Sequence, residues 1–164
     1  MPVIDVTPDP ENCTLTMTAR FDAPVERVWQ IYADPRQLEQ VWGPPTYPAT
    51  FVRHELRPGG MMHYFMTSPE GDKFPGFWEI TAVDEKTSFD FDDGFALDAD
   101  DFTPNLDLPV SKNVYRFTAD GDGTRAEYRS VYATAGDLQK VLEMGMVEGA
   151  TGAINQIDEL LKND

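Results

Sequence analysis

The sequence predicts an α+β fold in which a curved antiparallel sheet of about six strands wraps on a long C-terminal helix, with two short helices after the first strand. Three observations carry this prediction. Between Tyr47 and Tyr132, segment after segment alternates apolar and polar residues, each bounded by Gly, Pro or Asp. Two helical signatures stand between the first alternating run and those that follow. From Asp137 to Leu161 the apolar period lengthens to that of a helix.

The elements follow in order. Residues 1–13 hold three prolines and no period, and read as a loose arm before a single domain of residues 14–164. Leu15, Met17, Ala19 and Phe21 alternate with Thr14, Thr16, Thr18 and Arg20, a half-buried strand. Asp22 is placed to cap the first helix, with Pro24 in its first turn and Glu26 at its positive end. Val25, Val28, Trp29 and Tyr32 form that helix's apolar face. Asp34-Pro35 opens a second helix with Leu38 and Val41 inward, and Pro44-Pro45 closes it. Alternation then groups Val52, His54 and Leu56 on one strand face, and Met62, Tyr64 and Met66 on another. Two further strands run from Phe74 to Val83 and from Ser88 to Asp92. A hairpin at Asp120–Gly123 joins Asn113–Ala119 to Thr124–Tyr132. Asp93 to Lys112, polar and holding prolines, reads as an ordered or semi-ordered long loop. Gly145, Gly149 and Gly152 interrupt the last helix, so it is expected to kink or to press closely on the sheet, the latter at Gly149.

Composition excludes several functions. The 164 residues carry 13 Lys and Arg against 29 Asp and Glu, a net charge of −16. Such a chain repels nucleic acid and anionic membranes. A lone cysteine, Cys13, rules out an intrachain disulfide and suits a reducing compartment. Residues 1–9 show neither the basic nor the apolar region of a secretory signal, and no run is long enough to span a membrane. The expected setting is cytoplasmic.

Candidate chemistry is sparse. His54 and His63 are the only histidines. If Val52 and Leu56 face inward, His54 enters the interior as a polar anchor or acid–base group. No metal-ligand spacing exists, and the acidic run of residues 84–107 misses the calcium-loop pattern at Asp90–Gly94. No nucleophile motif occurs, so no catalytic residue, metal or cofactor is expected. The interior instead collects adaptable apolar groups: Trp42, His54, Met62, Tyr64, Trp78, Phe89, Phe91, Phe95, Tyr115, Phe117, Tyr128 and Met146 are the expected lining of a cavity between sheet and helix.

Five segments in order also carry a family likeness: Phe21-Asp22-Ala23-Pro24-Val25-Glu26-Arg27-Val28-Trp29, Trp42-Gly43-Pro44, Leu56-Arg57-Pro58-Gly59-Gly60, Gly76-Phe77-Trp78-Glu79-Ile80 and Gly145-Met146-Val147-Glu148-Gly149. With these the chain, from about Leu15 to Leu161, resembles the START-like (SRPBCC) superfamily. Within it, the chain resembles bacterial domains similar to activators of the ATPase of the 90-kDa heat-shock chaperone. The resemblance implies a helix-grip fold and a cavity for an apolar ligand or a chaperone contact, with no shared catalytic residues. Three functions are expected in turn: a binding module for a small apolar or aromatic molecule; a chaperone-contact protein using its acidic surface; and a cyclase- or isomerase-like enzyme with His54 or Glu79 as base and Tyr64 or Tyr128 polarising a carbonyl.

Overall fold

A computed structural model of the chain describes residues 2–163. Its strands are β1 (Val3–Asp9), β2 (Thr14–Phe21), β3 (Ala49–His54), β4 (Met61–Thr67), β5 (Lys73–Asp84), β6 (Ser88–Phe95), β7 (Ser111–Asp120) and β8 (Gly123–Val131). Helices α1 (Val25–Ala33) and α2 (Pro35–Val41) follow β2, and α3 (Ala135–Glu143) and α4 (Met146–Lys162) follow β8. The strands form one open antiparallel sheet in the order β1-β2-β8-β7-β6-β5-β4-β3. The α+β class is as expected, but eight strands replace the expected six or so.

Much of the sheet follows the pattern written in the chain. Leu15, Met17, Ala19 and Phe21 of β2 are all at most 3% exposed and face the helices. On the same face, Phe89 of β6 and Phe117 of β7 receive Trp29 of α1 edge-on, with ring centroids 5.9 and 6.1 Å apart. Asp34 caps α2 as expected, accepting a hydrogen bond from the Arg36 backbone N–H at 2.9 Å.

Five expectations are corrected. Residues Val3–Asp9 are not a loose arm but an edge strand paired with β2, Pro8 opposite Leu15. An edge strand needs ladder bonds on one side only, so its proline breaks nothing. Asp22 does not cap α1: the cap position is Pro24, and the Asp22 carboxylate instead pairs with Arg20 at 2.6 Å. β3 turns Ala49 and Phe51 inward and leaves Val52 56% exposed, and a register shift between Phe51 and Arg53 then brings His54 back to the inner side, opposite buried Met62.

The segment between β6 and β7 starts later than expected, because β6 runs on to Phe95, though it is ordered as the sequence suggests. Leu97 N–H donates to the Thr103 carbonyl at 2.7 Å, and the Phe102 ring stacks on His63 of β4 at 4.6 Å. Phe102, Phe77 and Ala96 form a small second core on the sheet face away from the helices. Finally, the expected interruption of the C-terminal helix falls at Gly145, whose φ of 84° lies in the left-handed region and splits the helix in two, but the close approach expected at Gly149 is absent. Gly149 does not press on the sheet, because a Cβ there would meet nothing within 4 Å. The close neighbours belong to Gly152, beside Pro45 and Pro44, where the Gln156 side chain also donates to the Gly43 carbonyl.

Candidate functional site

Between the sheet and α4 lies a cavity of about 370 Å³. Its origin is legible in side-chain size. The α4 face that closes it offers Gly149, Ala150 and Ala153, too short to reach the sheet. Opposite them, Tyr64 of β4, Tyr115 of β7, Tyr128 of β8 and Leu15 and Met17 of β2 form the floor. Trp42, at the end of α2, and Met146, at the start of α4, stand on its walls.

Of the twelve expected lining residues, six meet there: Trp42, Tyr64, Phe95, Tyr115, Tyr128 and Met146. Met62, Trp78, Phe89, Phe91 and Phe117 pack into the solid core beside it, each at most 3% exposed. Trp78 stacks on Phe91 at 4.2 Å and meets Trp42 edge-on at 4.6 Å, filling the space a ligand would need. His54, at the end of β3 opposite buried Met62, does not reach the cavity. Its Nε2–H donates to the Tyr32 backbone carbonyl at 2.8 Å, a structural bond joining β3 to α1. Glu79, alternating with buried Trp78, is exposed on the opposite sheet face. The two bases that an enzyme reading needs are therefore both outside the cavity.

The polar residues at the cavity were not among those expected. Along β6, Phe89, Phe91, Asp93 and Phe95 share one face, so a carboxyl stands where the pattern calls for an apolar group. Asp93 lines the cavity and accepts a hydrogen bond from the Tyr64 hydroxyl at 3.1 Å. Burial pushes its carboxyl up to about 7, against the smaller opposing effect of the Tyr64 bond. The signal was present in the Phe-x-Phe-x-Asp-x-Phe spacing, but the acidic run around it made Asp93 look solvated. Gly76 of β5 places its partner: a Cβ there would fall 2.5 Å from the Tyr64 hydroxyl oxygen, so only glycine lets that ring lie flat along β5.

Several of the remaining polar groups pair with one another, although the buried Trp42 Nε1–H has no partner among the described residues. The Ser130 hydroxyl donates to Asn113 Oδ1 at 2.6 Å, and Asn113 Nδ2 donates to Ser111 Oγ at 2.9 Å. Tyr32 and Tyr128 hydroxyls share a hydrogen bond of 3.0 Å. Burial raises the phenols of Tyr32, Tyr64, Tyr115 and Tyr128 above their ordinary value, and pushes Tyr132 up to about 12, so all are neutral donors or acceptors near neutral pH. Among the described residues no group of three His, Cys, Asp or Glu is placed to hold a metal ion.

A long helix closed against a curved antiparallel sheet, with an apolar cavity between them, defines the helix-grip, START-like class. Within that class the chain belongs to the family described as Activator of Hsp90 ATPase homolog 1-like protein, whose model matches residues 22–162. The crystal structure of a Mycobacterium smegmatis protein is 64% identical, with a TM-score of 0.89 over 98% of this chain and 97% of that one. The solution structure of an Arthrobacter aurescens protein is 41% identical, with a TM-score of 0.93 over 99% of this chain and 93% of that one. A Nitrosomonas europaea protein follows at 28% identity, with a TM-score of 0.80 over 93% and 96% of the two chains. No match was found among curated proteins.

Proposed function

We propose that this protein is a binding module that holds a small apolar or aromatic molecule between its sheet and α4. One observation carries the reading: the chain leaves about 370 Å³ unfilled behind adaptable Tyr, Trp and Met side chains. That volume lies within the range of small-molecule sites, about 300–1,000 Å³. A packed core leaves few voids larger than a water molecule.

The test pairs binding with filling. Native mass spectrometry of freshly purified protein is expected to retain a ligand, or the wild type to bind a naphthalene probe. Met146→Trp is expected to weaken that binding at least ~10-fold while costing less than about 1.5 kcal/mol, because a void accepts volume that a packed core refuses. Loss of stability in Met146→Trp together with no binding by the wild type would show a filled interior.

The second reading, contact with a chaperone, is supported by the family's description and by the net charge of −16. An acidic surface speeds docking on a basic partner and makes it salt-sensitive. Co-purification of a chaperone that is lost above about 0.3 M salt would favour it.

A further inference from the structure

We propose that the cavity selects a positively charged ligand: an aromatic or alkyl amine, or a quaternary ammonium, whose cationic head sits against Asp93 beside the rings of Tyr64, Tyr115 and Tyr132. The inference rests on the binding-module reading and deepens it by naming the ligand's chemistry.

Asp93 is the only Asp, Glu, Lys, Arg or His among the cavity-lining residues. Among the described residues its single side-chain partner is the neutral Tyr64 hydroxyl, and none of their cations pairs with it. An interior carboxylate kept for structure normally brings its own cation or several donors, because an unpaired buried charge is destabilising. Nothing in the fold demands this one. Phe89, Phe91 and Phe95 show that the same face of β6 accepts apolar side chains.

The surroundings are suited to a cation. The phenols of Tyr64, Tyr115 and Tyr132 all stand within the electrostatic reach of Asp93. Trp42 meets Tyr64 edge-on at 5.9 Å. Aromatic faces attract ammonium groups, most strongly where water is excluded. A carboxylate hydrogen-bonded to one of these phenols adds full charge to that attraction. An anionic ligand would be repelled, and a neutral ligand could at most donate a hydrogen bond to the second carboxylate oxygen without neutralising its charge.

Binding of a cation favours the ionised carboxyl, so affinity for a permanently charged ligand must fall as Asp93 is protonated. Other groups facing it do not titrate in that range. The three phenols are raised by burial, Ser111 opposite it on β7 is not ionisable, and Lys112 lies on the other face with Asp92 at 3.4 Å. No charged residue of α4 lines the cavity.

The test is calorimetric titration with three probes of one shape: (2-naphthylmethyl)trimethylammonium, 2-naphthylmethanol and 2-naphthoate, in about 0.15 M salt, where surface attraction to the acidic protein is largely screened. At about pH 8 the ammonium is expected to bind at least ~10-fold more tightly than the alcohol, with naphthoate weakest. Asp93→Asn is expected to bring the ammonium to within ~3-fold of an unchanged alcohol. Lowering the pH to about 5.5 should weaken the ammonium alone in the wild type. Alcohol or naphthoate binding as tightly as the ammonium would overturn the cation assignment and leave the binding module standing. A preference that survives Asp93→Asn would also overturn it, since general charge would then be its source. If none of the three binds, both readings fall. If Asp93→Asn does not fold, a flat wild-type pH profile for the ammonium overturns the assignment.

Discussion

At the residue scale, Asp93 makes stability depend on pH in the direction opposite to most carboxylates. Its native pKa of about 7 lies above the ordinary 3.8, so between those values the folded protein binds more protons than the unfolded chain. Stability associated with this group is therefore fully present below about pH 4 and is lost as pH rises toward 7. The ceiling on that loss is about 1.4 kcal/mol for each unit separating the two values. Asp93→Asn is expected to raise the melting temperature at pH 8 and to change it little at pH 5, read by thermal denaturation at both. The glycines divide in the same concrete way. Gly149 has open space before it and sits inside α4, so Gly149→Leu should raise stability by about 0.5–1 kcal/mol through helix propensity while filling the cavity and reducing probe binding. Gly145 holds φ at 84°, so Gly145→Ala should lower stability by about 1–2 kcal/mol. Chemical denaturation of the two variants checks both signs.

At the scale of elements, the strands that alternate without interruption were legible because a buried face leaves a period of two. β2, β4, β7 and β8 are close to their expected bounds, and Leu15, Met17, Tyr64 and Tyr128 point inward as the alternation requires. What failed was what alternation cannot encode. A register shift at Phe51/Arg53 breaks the period of β3, so Val52 faces outward while His54 lies opposite Met62 and bonds to the Tyr32 carbonyl instead of entering the cavity. An edge strand holding Pro8 left no period in residues 3–9. The cavity was half legible: the sequence showed which aromatic residues turn inward, but which of them fill space and which border it depends on the short residues of α4 lying opposite. The acidic segment 96–110 is a further case, polar in composition yet fastened by one aromatic residue. Phe102 sits at φ 57°, stacked on His63 and only 6% exposed. Phe102→Ala should release that segment, seen as faster amide exchange at Leu97 and Asn105, whose N–H groups bond across it, while the β2 and β8 amides keep their protection. Equal loosening throughout the sheet would show that the second core supports the whole fold.

At the scale of the whole molecule, charge sets a balance between attraction and self-repulsion. The ion pairs are on the surface, as in Arg20 with Asp22 at 2.6 Å, Arg53 with Glu55 at 2.9 Å and Lys162 with Asp158 at 3.2 Å. Each such exposed pair contributes only about 0–1 kcal/mol and is weakened by salt. Against them, 29 acidic residues face 13 basic ones, so even complete pairing leaves sixteen carboxylates without a counter-cation. Their mutual repulsion opposes the compact state and is relieved when the screening length falls from about 30 Å at 0.01 M salt to about 3 Å at 1 M. Repulsion summed over so large an excess outweighs a few exposed pairs. The melting temperature at pH 8 is therefore expected to rise between about 0.02 and 0.5 M sodium chloride. The same series near pH 5, where part of the carboxylate charge is neutralised, should show a smaller rise. That difference separates charge screening from any general effect of salt on apolar burial, which acts at both pH values. A melting temperature that falls with salt at pH 8 would show that the ion pairs, and not the acidic excess, govern the stability of this protein.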